Sequence, residues 1–160
     1  MSEEMAMLQS PAPHTLPSTP FLIQRLVDEF SAVWVNEANL EEFAAEPGDK
    51  VIFVAGDPIR FPECLDVAVV LPELQKTFGQ RFRIAVAQSA SEDAIARKYD
   101  AQRRPALIFL RDALFVTVVS GMLDWDIYLD EVGKALAMPA GPAPRLRIPI
   151  MSQGSDSSCH

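Results

Sequence analysis

Five consecutive apolar residues, Val51-Ile52-Phe53-Val54-Ala55, stand between Lys50 and the turn signal Gly56-Asp57-Pro58. A run this short and this uniformly apolar suits a strand buried on both faces, so the chain must supply covering elements above and below it. The flanking sequence does so. Phe21-Leu22-Ile23, Leu26-Val27 and Phe30 recur at helical spacing, and Ala32-Val33-Trp34-Val35 reads as a short strand. Asn39 opens a short helix through Ala45 that Pro47-Gly48 closes. After the central strand, Leu65 to Phe78 is helical up to Gly79, and Pro72 within it is expected to kink the helix by removing one backbone hydrogen bond. Arg81 to Ala87 is a strand, and Ser89-Ala90-Ser91-Glu92 forms a capping-box pattern before a helix with Arg97 and Lys98 in its last turn. Pro105–Leu110 and Leu114–Val119 form a hairpin about Arg111-Asp112-Ala113. Gly121 ends it. Asp124 then caps an amphipathic helix through Trp125, Tyr128, Leu129, Val132 and Leu136, which stops at Pro139. The class is α/β: a central mixed sheet flanked by helices.

Charge narrows the partners. The 160 residues carry 22 acidic and 14 basic side chains, a net of −8. Residues 21–138 hold 19 acidic against 12 basic residues, so nearly all of that charge sits on the folded segment. Such a domain repels phosphate backbones and anionic lipid, which argues against nucleic acid and membrane surfaces and for a cationic partner. The longest uncharged apolar stretch, Ala113 to Leu123, falls short of the ~20 residues of a membrane span. Residues 1–20 carry four Pro and only Glu3 and Glu4 as charges, which is no secretory signal, so a cytoplasmic protein is expected. Residues 1–20 read as a mobile N-terminal extension, 21–138 as the domain and 139–160 as a Pro-rich disordered tail, because neither end has periodic apolar residues to offset ordering. Cys64 and Cys159 are the only cysteines, which excludes a disulfide framework and a closely spaced metal-ligand pair. No cofactor or metal is expected.

The element order resembles thioredoxin, with two local matches. The strand Val51–Ala55 feeds a loop and a helix containing Pro72, and Arg104-Pro105-Ala106-Leu107 stands where thioredoxins carry a cis proline. The resemblance therefore implies a thioredoxin-like fold with Pro105 cis. In place of Cys-x-x-Cys the chain has Cys64-Leu65-Asp66-Val67, and Val67 cannot resolve a mixed disulfide. A thioredoxin-like domain lacking that dithiol, with Asp57-Pro58-Ile59-Arg60-Phe61-Pro62-Glu63 in the loop, Arg-Pro-Ala-Leu-Ile-Phe from Arg104, and Gly121 followed by Trp125, resembles the HyaE/HupG/HoxO family of nickel–iron hydrogenase maturation proteins. That resemblance spans roughly residues 20–138. It implies a non-catalytic cytoplasmic accessory protein or chaperone that binds the hydrogenase small-subunit precursor, including its twin-arginine signal peptide, before export, with other hydrogenase accessory proteins as further partners.

Each candidate residue has a plainer reading beside the functional one. Asp57, Glu63, Asp66 and Glu73 could meet a partner's paired arginines or form a solvated helix face, and Arg60 among them lowers the local charge. Phe61 and Trp125 could anchor an apolar stretch, although Trp125 with Leu129 at i+4 more simply packs the last helix onto the sheet. Arg103-Arg104 could hold an acidic segment or pair locally with Asp100 or Asp57. Cys64 at a helix start could be a lowered-pKa nucleophile, making the chain a single-cysteine thiol-dependent redox enzyme of the thioredoxin superfamily. Against that, Glu63 and Asp66 beside it disfavour thiolate. Cys159-His160 could bind a metal, but two ligands on a mobile end make a weak site, and the plainer reading of that pair and of His14 is incidental residues.

Overall fold

A computed structural model of the chain describes residues 19–144. The elements are α1 (Phe21–Glu29), β1 (Val33–Val35), α2 (Leu40–Ala45), β2 (Asp49–Val54), α3 (Glu63–Thr77), β3 (Phe82–Ala87), a 3-10 turn (Ser89–Ser91), α4 (Glu92–Lys98), β4 (Ala106–Arg111), β5 (Leu114–Ser120) and α5 (Trp125–Ala137). The five strands lie in the order β1-β3-β2-β4-β5. β1 and β2 run parallel to β3, while β4 is antiparallel to β2 and to β5.

The apolar run is the centre of this sheet, as its sequence requires. Val51, Ile52, Phe53 and Val54 are each 0% exposed, and their alternation sends them to two different cores. Val51 and Phe53 pack with residues of α1, α3 and α5, whereas Ile52 and Val54 pack with α2 and α4. Full burial of side chains of this size stabilises by roughly 1.5–3 kcal/mol each, which is why a polar substitution among Val51–Val54 would harm the fold.

Several local expectations need correction. The capping residues do not cap: Asn39 and Asp124 make no side-chain bond to their helix starts, and the Ser89–Glu92 box does not form, Ser89 opening a 3-10 turn and Glu92 bonding to Gly56. The Asn39 carboxamide instead holds the β1–α2 turn, accepting from Asn36 N–H at 2.8 Å and donating to Trp34 O at 3.1 Å. α3 begins at Glu63, two residues before the apolar spacing suggests, because Cys64 is already core. Arg111 belongs to β4 and pairs with Leu114, so the hairpin turn is Asp112-Ala113 alone. Both residues have positive φ, 52° and 80°, the requirement of a type I′ turn. Trp125 does not pack the last helix down; it is 41% exposed, and Tyr128, Val132, Ala135 and Leu136 fill that place.

The ends of the described chain are attached to the domain. Gly141 exchanges two backbone hydrogen bonds with Phe115, at 2.7 and 2.8 Å, outside the outer strand β5. Residues 139–144, counted with the tail on composition, are thus tied to the sheet at Gly141. Thr19 and Pro20 lead into α1, whose first turn is bonded to Pro20 O. The rest of both proposed ends, 1–18 and 145–160, with His14, Cys159 and His160, lies outside the described residues.

Candidate functional site

At the ends of β1, β2 and β3 the chain leaves a groove of about 660 Å³. It is bounded by the loop after β2, the segment before Pro105, the start of α4 and the residues leading into α1. Gly56 makes this shape possible. Its φ is +88°, and a Cβ there would fall 2.8 Å from Phe61 Cδ2 and 3.0 Å from Arg104 Cβ, so both the conformation and the close approach require glycine.

The loop is wound tightly into α3. Asp57 Oδ1 accepts from Ile59 N–H at 3.0 Å, Phe61 N–H donates to Asp57 O at 2.7 Å, and Cys64 N–H donates to Phe61 O at 2.9 Å. This turn carries Ile59 to the tip, where it is 88% exposed. The Arg60 guanidinium lies over the Phe61 ring, 5.3 Å from its centroid. Across the groove, Arg104 donates to Ala101 O at 3.0 Å and pairs with Asp93 at 3.2 Å. The peptide bond Arg104–Pro105 is cis, as the resemblance implied, and Pro105 O accepts from Gly121 N–H at 2.8 Å.

Two ionisable groups of this region, Glu92 and Cys64, are displaced from their ordinary range. Glu92 accepts from Gly56 N–H at 3.1 Å through Oε2. Burial pushes its carboxyl pKa up, Asp93 and Asp57 add to that, and the Gly56 hydrogen bond and Arg104 oppose it. Cys64 is fully buried, and its thiol is pushed up to about 11, by burial first and then by Glu92, Glu63, Asp57 and Asp66. At neutral pH it is a protonated thiol inside the core, which is the opposite of an activated nucleophile.

The sequence matches the family described as "Hydrogenase-1 expression protein HyaE" over residues 22–128. The chain belongs to the HyaE family. It is 49% identical, over the whole of both chains, to the hydrogenase expression/formation protein HoxO of Cupriavidus necator. It is 38% identical to HupG of Bradyrhizobium diazoefficiens, covering 64% of this chain and 70% of that one. A thioredoxin mutant from Halobacterium salinarum superposes with a TM-score of 0.54 at 17% identity, covering 68% of this chain and 93% of that one, which establishes the thioredoxin-like fold. A role in hydrogenase maturation follows from family membership.

In this HyaE-family protein, the residues singled out in the sequence fall into two groups. Asp57, Arg60 and Phe61 line the groove, and Pro105 is buried beside it. Glu63, Asp66 and Glu73 are exposed along α3, outside the groove lining. Ten residues of helix separate Glu63 from Glu73, about 15 Å, and Glu73 pairs with Lys76 at 3.7 Å. The acids therefore do not form one patch. Arg104 pairs with Asp93, not with Asp100 or Asp57. Sequence reasoning missed Glu92, whose side chain was assigned to a capping box and instead reaches 36 residues back to Gly56. It also missed Trp34 and the α1 leader as groove walls, since nothing local in the sequence brings β1 and α1 to the loop.

Proposed function

We propose that this protein holds the hydrogenase small-subunit precursor, including its twin-arginine signal peptide, in the cytoplasm before export, and does so without chemical turnover. The observation that carries this reading is the state of the loop that would house a redox centre in a thioredoxin. It keeps a defined, glycine-dependent shape and an exposed apolar tip, while its cysteine is buried and protonated. A shape maintained without a reactive group suits recognition. The relatives named as hydrogenase expression/formation proteins supply the partner class, and the acidic surface suits a cationic segment.

The deciding experiment is a pull-down from cell extract with precursor that carries or lacks its signal peptide. Retention only with the signal peptide supports the reading, and no retention of either form refutes it. If ionic contacts dominate, raising salt from about 50 to about 500 mM shortens the Debye length from roughly 14 to 4 Å and weakens binding. The thiol-enzyme alternative makes a different demand on Cys64. In a Cys159→Ser protein, iodoacetamide should leave the native chain unmodified at neutral pH and label it once only after unfolding. Dithiothreitol-coupled insulin reduction should stay at background. Rapid native labelling together with reductase turnover would replace the binding reading with the enzymatic one.

A further inference from the structure

The groove itself distinguishes one part of a partner from another. Pro20, Ile23, Trp34, Val86, Pro58 and Phe61 give its lining an apolar part. Glu92 reaches the floor from the start of α4, with Oε2 engaged by Gly56 N–H and its second oxygen free of any protein hydrogen bond among the described residues. Three acids and two arginines line the space. Of these, Arg104 is bound to Asp93 and Ala101 O, and Arg60 lies against the Phe61 ring. Asp57 keeps one oxygen on Ile59 N–H, so Asp57 and Glu92 are the acids left to complement an incoming cation, with the Arg60 charge beside them.

The geometry points to this groove as the seat of one arginine of the partner's extended segment, its guanidinium between Glu92 and Asp57 and its methylene stem along Trp34 and Phe61. This rests on the binding reading above and assigns it a place away from Glu63, Asp66 and Glu73. A half-buried carboxylate with one open oxygen favours a multidentate, weakly hydrated cation, which arginine is and lysine is not. The volume lies within the roughly 300–1,000 Å³ of ligand-sized clefts, so it admits a segment of peptide and not only an ion. The guanidinium would offset the burial of Glu92, so binding should weaken on acidification as that carboxylate takes up a proton. Asp57, Asp93, Arg60 and Arg104 are the other charged groups that line the space.

The test uses the full chain with Trp125→Phe, which leaves Trp34 as the sole tryptophan and a reporter inside the groove. A synthetic peptide of two adjacent arginines followed by an apolar run is titrated against this protein and against the same protein with Glu92→Gln. Glutamine keeps an oxygen for Gly56 N–H and removes only the charge, and a thermal melt verifies that the variant is folded. The expected result is a change in Trp34 emission and a loss of about tenfold or more in affinity for Glu92→Gln. A peptide with both arginines changed to glutamine should lose a similar factor, and the two losses should not add. Peptide binding that leaves Trp34 emission unmoved, or that differs less than about twofold in Glu92→Gln, overturns the groove assignment while precursor holding stands. Binding of precursor without its signal peptide as tightly as with it overturns the assignment in the same way. Failure of peptide and precursor alike to bind refutes the holding function with it.

Discussion

The two ends of the sheet use the same kinds of side chain in opposite ways. At the end where β2 begins, Asp49, Lys50, Arg81, Arg111 and Asp112 are engaged within the fold. Arg111 donates to Asp49 at 2.7 Å and to the carbonyls of Met138, Ala135 and Leu136, closing the C-terminus of α5 where its orphan acceptors gather. Arg81 adds a bond to Leu136 O at 3.0 Å, and the buried Lys50 ammonium donates to Glu46 O and Gly48 O. Gly48 N–H in turn donates to Asp112 at 2.7 Å. At the end where β2 stops, Glu92 keeps an unengaged oxygen, Ile59 is exposed and the groove lies open. A charge tied to backbone carbonyls on several elements is a staple, and one left facing a cleft is available to a partner.

This contrast orders the expected effects of substitution. The largest is at the staple end: Arg111→Met takes this donor from Ala135 O and Met138 O and leaves Asp49 and Leu136 O to Arg81 alone, and should lower stability by about 3 kcal/mol, read as a fall in the urea midpoint. Loss of under about 1 kcal/mol would mean that the two ends are equivalent. Next is Gly56→Ala, expected to cost about 1–3 kcal/mol through its positive φ and the contact with Phe61, and to weaken partner binding as the loop shifts. Wild-type binding by the folded variant would detach the loop from the site.

A smaller effect of opposite sign is expected at Glu92. Its pKa is raised in the folded state, so the charged carboxylate penalises folding above that pKa, and the penalty vanishes as pH falls towards the ordinary value of 4.5. Glu92→Gln should therefore raise the melting temperature at about pH 7 and lose that advantage near pH 4.5, while binding is impaired. A variant less stable at neutral pH would make Glu92 another staple. The smallest effects belong to Glu63→Gln and Asp66→Asn, exposed on α3, each expected within about 0.5 kcal/mol of wild type. Strong binding losses there would move the site from the groove to the helix face.

What the sequence determined by itself is the framework. Val51–Val54 announces a strand covered on both sides, the helical and alternating periods place its neighbours, and the resemblance carried by Arg104-Pro105 and a loop without a second cysteine implied both the fold and the missing redox pair. These are local signals, because period, turn chemistry and missing residues can be read within a window of a few positions. Asp57, Arg60 and Phe61 were legible for the same reason, lying together in one loop. Only the tertiary structure decided the rest. Glu92 looks like a cap in its own window and becomes the floor of a groove because β3 places α4 beside Gly56. Trp34 becomes a wall because β1 pairs with β3, more than 50 residues later in the chain. Arg111 reads as a turn residue and becomes the tie between β4 and α5. In each case the backbone conformation was set locally, while the partner of the side chain was set by parallel pairing and packing across the sheet, which no short window of sequence contains.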